Sequence, residues 1–327
     1  MAKPVVLLYE PIHEKAMHLL SEQADVRISQ SLDIEHLINE VGDVDGIIIR
    51  ANGQVSREVM QAAPNLKVVA RHGTGVEAID HEAAAELGIV VVNTPEANVE
   101  SVAEQCLAFM IVLVKRLLES DAAIRAGDWD ARYRLIGTEL LGKTLGLAGF
   151  GRIGQRVAEL CHKSLDMPIQ YFDVLHYPEA AERLRAKKVA LNDLLESSDF
   201  VSLHVPFLEE TQGLIGEAEL RRMKPTAFLI NTSRGAVVDQ EALITALEEG
   251  WIRGAGLDVY DPEPLPSDSS LLTMTNVALS PHMASHTDEA LFRMAMVIDD
   301  VLAVIRGESP KFQIPKPNQE RQESQGG

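Results

Sequence analysis

The chain has 327 residues, of which 46% are hydrophobic and 24% charged. That is ordinary globular composition at about twice the length of a typical single domain. Its 49 acidic and 30 basic residues give a formal net charge of -19, which excludes nucleic acid or an anionic membrane as a default partner, since phosphate surfaces need clustered positive charge. The longest apolar run, Ala103 to Val114, contains Glu104 and Gln105. It is too short and too polar for a membrane span of about 20 residues.

The chain opens with alternating strand and helix patterns. Val5–Tyr9, Asp25–Ile28, Gly46–Arg50, Lys67–Arg71 and Ile89–Val92 are short and rich in Val and Ile, as strands buried on both faces of a parallel sheet read. Helical patterns lie between them at Pro11–Ser21, Asp33–Val41, Ser56–Ala62 and Asp80–Leu87. A single long helix is expected over Asn98–Ala126, with Gly127 ending it. A second series of strands follows at Thr144–Ala148, Ile169–Phe172, Phe200–Leu203, Ala227–Ile230, Gly254–Val259 and Val277–Leu279. Its helices are expected at Ile153–Lys163, Leu191–Glu196, Glu217–Arg222, Gln240–Glu249 and Thr287–Arg306. The tail from Glu308 reads as a surface arm or disordered end. The start has no signal-peptide pattern, and Cys106 and Cys161 form neither a CxxC pair nor a metal spacing. A reducing cytoplasm, no disulfide and no metal are therefore expected.

Gly149-Phe150-Gly151-Arg152-Ile153-Gly154 is a GxGxxG between a strand and a helix. In that context Gly149 permits the tight turn, Gly151 lets a pyrophosphate approach the backbone, and Gly154 lets helix and sheet pack closely. The helix N-terminus offers N–H groups to phosphate. Asp173, at the end of the next strand, would accept hydrogen bonds from an adenosine ribose and repel a 2′-phosphate. No arginine follows it in Val174-Leu175-His176-Tyr177. NAD is the expected cofactor. Polar residues also cluster after later strands: Asn231-Thr232-Ser233-Arg234-Gly235, Asp258 through Glu263-Pro264, and Ser280-Pro281-His282-Met283-Ala284. Open α/β sheets bind ligands at those carboxyl ends.

In this ordered set, with Arg71-His72-Gly73-Thr74-Gly75-Val76, Val102-Ala103-Glu104 and His204-Val205-Pro206 with Thr211, the sequence resembles the D-isomer-specific 2-hydroxyacid dehydrogenase family from about Val5 to Arg306. Within that family it resembles the D-3-phosphoglycerate dehydrogenases and hydroxypyruvate reductases. The resemblance implies two Rossmann-like or flavodoxin-like α/β domains. An NAD-binding domain, 99–286, is inserted into a discontinuous substrate domain, 1–98 plus 287–327. It implies a homodimer and an NAD-dependent oxidoreductase that interconverts a small anionic 2-hydroxy acid and its 2-oxo acid.

The resemblance assigns His282 as acid/base, Glu263 as its carboxylate partner and Arg234 as substrate anchor. It assigns cofactor contacts to Gly149, Gly151, Arg152, Ile153, Gly154, Asp173, His204, Val205, Pro206, Thr211, Thr232, Ser233, Asp258, His282 and Ala284. Asp258 could take the carboxamide or cap a local turn. Substrate contacts fall on Arg50, Asn52, Arg234, His282 and the Gly73, Thr74, Gly75, Val76 loop, whose two glycines would permit an anion-binding nest. His72, His162, His176 and His286 read as surface or hydrogen-bonded residues.

Phosphoglycerate dehydrogenases place arginines after the third strand, where this chain has Arg50 and Asn52. Arg132 and Arg134 follow the long helix, a region from which the family often reaches a partner subunit's pocket. Hydroxypyruvate or glycerate, glyoxylate, 3-phosphoglycerate and sulfolactate all remain open as substrates. So do a dinucleotide-sensing corepressor and phosphite oxidation on the same scaffold. Glu263, where formate dehydrogenases carry Gln, disfavours formate.

Overall fold

A computed structural model describes residues 2–316, which divide into two compact units. The first comprises the chain up to Asn98 and resumes at His286; the second runs from Val99 to Ser285. The second is thus an insertion in the chain of the first.

The first unit holds a parallel sheet of β1 (Val5–Leu8), β2 (Asp25–Ile28), β3 (Gly46–Ile49), β4 (Val68–Arg71) and β5 (Val90–Val92), in the order β2-β1-β3-β4-β5. That is the flavodoxin-like arrangement. Successive side chains on a strand point to opposite faces. Leu7, Ile47 and Val69 accordingly pack with Val59, Met60 and Ala83 on one side. Val6, Leu8, Ile48 and Val68 pack with Ala16, Leu20, Val301 and Leu302 on the other. Burial on both faces explains the uninterrupted Val and Ile runs.

The returning chain does not form one helix over Thr287–Arg306. It forms Asp288–Ala295 and Val297–Ile305, separated at Met296. Of the two forms expected after Glu308, the described residues form the surface arm. The buried carboxylate of Asp300 accepts the N–H groups of Lys311 (2.6 Å) and Phe312 (3.1 Å), and Gln313 pairs antiparallel with Val92 on the edge strand. Residues 317–327 lie outside the described residues.

The second unit holds β6 (Leu145–Ala148), β7 (Ile169–Phe172), β8 (Ala186–Lys188), β9 (Phe200–Leu203), β10 (Phe228–Asn231), β11 (Gly254–Leu257) and β12 (Val277–Leu279), all parallel, in the order β12-β11-β10-β9-β6-β7-β8. Counted from β6, this is the doubly wound dinucleotide-binding order with one more strand at its far edge. Leu145 and Leu147 pack on Phe109, Met110, Val157 and Cys161. Val201, Leu229 and Ala255 pack on Leu220, Leu243 and Ala246.

The expected long helix is broken at Arg116, which adopts a left-handed conformation (φ 51°) between Val99–Lys115 and Leu117–Arg125. The Val114 carbonyl accepts the Thr138 N–H at 2.9 Å, so it is taken by the returning chain rather than by the next helical turn. The helix Pro178–Leu184 and strand β8 were not evident in the sequence. β8 is an edge strand that carries Lys187 and Lys188 in place of an apolar run.

Candidate active site

In the second unit the loops after β6, β7, β9, β10, β11 and β12 leave from one edge of the sheet, as a parallel sheet requires. Gly149 has φ 98°, and a Cβ there would lie 2.6 Å from the His204 carbonyl carbon and oxygen. A Cβ on Gly154 would lie 2.3 Å from the Gly149 carbonyl. These two glycines are required by the protein's own close packing. Gly151 differs: a Cβ there would meet no protein atom within 4 Å. It is the N-cap of the helix Arg152–Leu165, and no side chain caps that helix. The space beside Gly151 and the uncapped N-terminus fit a dinucleotide pyrophosphate.

Asp173 is held by two backbone donors, Phe150 N–H to Oδ2 at 2.6 Å and Leu175 N–H to Oδ1 at 2.9 Å. It therefore braces the glycine loop as well as facing the strand end. His204 bonds Ser202 Oγ through Nε2 at 2.9 Å, and burial pushes its pKa down to about 3. It is neutral near pH 7. The Thr211 hydroxyl is engaged locally, with Pro206 O at 2.6 Å and Leu208 N–H at 2.8 Å. Thr232 Oγ1 lies 3.1 Å from Cys106 Sγ.

After β10, the buried Asn231 side chain accepts from Ser233 N–H and Oγ and donates to the Arg234 carbonyl. Arg234 Nη1 donates to Ser233 O at 2.8 Å. A Cβ on Gly235 would sit 1.8 Å from the Tyr260 carbonyl, so this loop presses against the one after β11. Glu263 accepts Tyr260 N–H on Oε1 (3.0 Å) and meets His282 Nδ1 with Oε2 at 2.8 Å. Burial pushes the Glu263 carboxyl up. The hydrogen bonds from His282 and Tyr260, with the charges of His282 and Arg234, outweigh that and hold it below the usual carboxylate range. Nε2 of His282 has no hydrogen-bond partner among the described residues, and about half of the side chain is exposed.

Asp258 is 1% exposed. Its carboxylate accepts the N–H groups of Met283 (2.8 Å) and Ala284 (2.9 Å) together with Ser280 Oγ. Both oxygens are thus engaged by the loop that carries His282, which favours the turn-capping of the two roles open for this residue. Two further residues support this loop. The Tyr260 hydroxyl bonds the carbonyls of Leu257 and Ser280, yet a tyrosine after a strand reads as core. Ser101 Oγ, from the helix Val99–Lys115, donates to Ala284 O at 2.6 Å. Arg132 stacks on Trp129 and Tyr133, and Arg134 pairs with Asp128.

In the first unit, the loop after β4 departs from the expected two-glycine nest. Only Gly73 has positive φ (130°), and its N–H is engaged by Thr94 Oγ1 at 3.1 Å. Asn93 Nδ2 donates to the Thr74 carbonyl at 2.8 Å. The N–H groups of Thr74, Gly75 and Val76 have no acceptor among the described residues. His72 is not a surface residue but is 4% exposed. Burial first, and then the charge of Arg50, push its pKa down to about 4. Arg50 Nη1 donates to Pro11 O at 3.1 Å, and the Asn52 amide donates to Glu10 Oε1 at 2.9 Å. Among the described residues no group of three or more His, Cys, Asp or Glu could hold a metal ion, and no helix is long and apolar enough to cross a membrane.

Residues 107–284 match the family model for the D-isomer specific 2-hydroxyacid dehydrogenase, NAD binding domain. The chain is 41% identical over 315 residues to a glyoxylate reductase of Korarchaeum cryptofilum, covering 94% of this chain and 95% of that one. It is 39% identical to a D-3-phosphoglycerate dehydrogenase of Methanocaldococcus jannaschii, covering 96% of this chain but 60% of the longer relative. Among solved structures, the TT0316 protein from Thermus thermophilus superposes with a TM-score of 0.89 at 38% identity, over 95% of this chain and all of that one. The chain belongs to the D-isomer specific 2-hydroxyacid dehydrogenase family and is an NAD-dependent oxidoreductase acting on CH–OH groups.

Proposed function

We propose that this enzyme reduces a small 2-oxo acid to the 2-hydroxy acid, with His282 as the acid, Glu263 as its positioning carboxylate and Arg234 as the substrate anchor. The observation that carries the reading is the 2.8 Å contact between His282 Nδ1 and Glu263 Oε2, with Nε2 left without a protein partner among the described residues. Nδ1–H donates to the carboxylate, so the ring is held in one orientation with Nε2 directed away from Glu263. When NADH is bound it supplies the hydride. Nε2–H of His282 then delivers the proton to the substrate oxygen, and in the reverse direction takes it back. The planar fork of Arg234 suits a carboxylate, and its charge polarises the adjacent carbonyl.

The unengaged N–H groups of Thr74, Gly75 and Val76 supply further donors for the substrate carboxylate. Gly149, Gly151, Arg152, Ile153 and Gly154 would hold the pyrophosphate. Asp173 would bind the adenosine ribose, and His204 to Pro206, Thr211, Thr232, Ser233 and Ala284 would line the remaining length of the cofactor, with Asp258 holding the loop behind them. The exposed Leu117, Leu118, Ile124, Trp129, Tyr133 and Ile136 support a homodimer built on this stretch. The buried free thiols of Cys106 and Cys161 suit a reducing cytoplasm.

The relatives named as glyoxylate reductases support glyoxylate as a substrate, and those named as D-3-phosphoglycerate dehydrogenases bring the phosphorylated acid into the comparison. The test is NADH oxidation across glyoxylate, hydroxypyruvate, 3-phosphohydroxypyruvate and sulfopyruvate. Turnover with at least one, lost in His282→Ala while NADH still binds, is the expected result. Full turnover in that variant would remove His282 from the chemistry.

A further inference from the structure

The order β1-β3-β4 places three loops side by side at one edge of the first sheet: Tyr9-Glu10 after β1, Arg50 to Gly53 after β3, and Arg71 to Val76 after β4. Neighbouring strands lie about 4.8 Å apart, so the residues after β1 and β3 stand roughly 5–10 Å along the edge from the N–H groups after β4. A group on the substrate carbon beyond its carbonyl would meet them.

The electrostatics of that edge are set by one carboxylate. Glu10 Oε2 accepts the N–H groups of Ala51 (2.6 Å) and Asn52 (2.8 Å), and Oε1 accepts Asn52 Nδ2 (2.9 Å). Gly53 has φ 83°, and a Cβ there would lie 2.7 Å from the Tyr9 ring. The loop after β3 is therefore clamped onto Tyr9 and Glu10. Burial pushes the Glu10 carboxyl up. The Asn52 and Ala51 hydrogen bonds and the charge of Arg50 outweigh that and hold it below the usual carboxylate range, so it is ionised near pH 7. Arg50, the cation of this loop, turns Nη1 to the carbonyl of Pro11 at 3.1 Å, the residue that follows Glu10, and its charge contributes to the lowering at Glu10.

We propose that Glu10 is a specificity determinant: it sets a negative charge against the loop after β3, turns the Asn52 amide toward itself, and so rejects 2-oxo acids that carry a second anionic group, phosphate or sulfonate, at C3. A hydrogen or hydroxyl at C3 is accepted. The inference rests on the reading that Thr74, Gly75 and Val76 take the substrate carboxylate. A like charge about 8 Å away, in surroundings intermediate between water and protein, disfavours a dianion on the order of tenfold.

The experiment compares kcat/KM of the full chain with NADH for hydroxypyruvate and for its 3-phosphate, a pair that differs only in the added group. The wild type favours hydroxypyruvate by about tenfold or more. Glu10→Gln raises the phosphorylated-to-unphosphorylated ratio by about tenfold, chiefly through a lower KM for the phosphorylated acid. If Glu10→Gln does not fold, Asn52→Arg restores positive charge at the same edge and raises the same ratio. A wild type that prefers the phosphorylated acid, or a variant that scales both substrates equally, overturns the proposal and leaves Glu10 a loop brace. A wild type that oxidises NADH with neither acid nor with glyoxylate overturns the underlying 2-oxo acid reading, and this proposal with it.

Discussion

His282 stands in the left-handed region of backbone space (φ 48°), and its N–H donates to the Asp258 carbonyl at 2.8 Å. The Asp258 carboxylate takes the next two N–H groups, of Met283 and Ala284. One buried residue thus pins the three consecutive amides that aim the imidazole. Asp258→Ala leaves those two N–H groups and Ser280 Oγ without an acceptor. Stability should fall by about 3 kcal/mol, and kcat by about 100-fold through misplacement of the ring. Thermal melting and steady-state kinetics check this. An unaltered kcat would mean that Tyr260 and Ser101 suffice to hold the loop.

Glu263→Gln keeps an acceptor for Nδ1–H but removes the charge. We expect kcat to fall about 10- to 100-fold with NADH affinity little changed, and a larger fall in His282→Gln, which removes the proposed proton donor itself. Cofactor titration by fluorescence beside kcat separates the two effects. Equal losses in both variants would make Glu263 as indispensable as the ring it orients.

Gly149 and Gly151 should respond oppositely to the same substitution. Gly149→Ala places a methyl 2.6 Å from the His204 carbonyl at a backbone angle that disfavours L side chains, and should cost about 2–4 kcal/mol of stability. Gly151→Ala meets no protein atom. It should melt like the wild type but bind NADH at least about tenfold more weakly, because the methyl occupies the space needed for close backbone approach by the pyrophosphate.

Asp173→Ala should relax the preference for NAD over NADP by about tenfold or more, and should also lower stability, since the Phe150 and Leu175 N–H groups lose their acceptor. Measuring kcat/KM with both cofactors and the melting temperature tests the two consequences independently. A stable variant with an unchanged cofactor ratio would count against the ribose role.

Two neutral histidines link stability to acid. Burial holds the pKa of His72 at about 4 and that of His204 at about 3, against roughly 6.5 in the unfolded chain. Below pH 6.5 the unfolded state binds protons that the folded state refuses. The stabilisation is therefore complete above pH 6.5 and declines as pH falls toward 4, by up to about 1.4 kcal/mol per pH unit for each histidine. One lies in each unit. Urea midpoints measured from pH 8 to 4.5 should fall accordingly, and His72→Gln should flatten the slope for the first unit. An identical slope in that variant would place the acid sensitivity elsewhere.

The acid excess noted at the outset is compatible with an anionic substrate because charge acts locally. Glu10, Asp258 and Glu263 all work through hydrogen bonds at distances below 3.1 Å, where net charge has little bearing. The parallel strands, the glycine motif and the order of Arg234, Glu263 and His282 were legible in the sequence. Runs of Val and Ile, and glycines at fixed spacing, reflect constraints that act over a few residues. The break at Arg116 was not, because its cause, the Thr138 N–H on Val114 O, comes from a segment 24 positions along the chain. The same holds for the Gly73 N–H, engaged by Thr94, and for the C-terminal segment anchored on Asp300.

Sequence by itself determined the cofactor motif and which side chains stand at strand ends, because periodicity and short motifs record local backbone demands, and the ordered set of motifs carried the family resemblance. Only the tertiary structure decided that Asp258 serves the His282 loop, which ring nitrogen of His282 meets Glu263, and that Glu10 faces Asn52. Those pairings depend on the order of strands in a sheet, and a hydrogen bond between residues far apart in the chain leaves no spacing for the sequence to display.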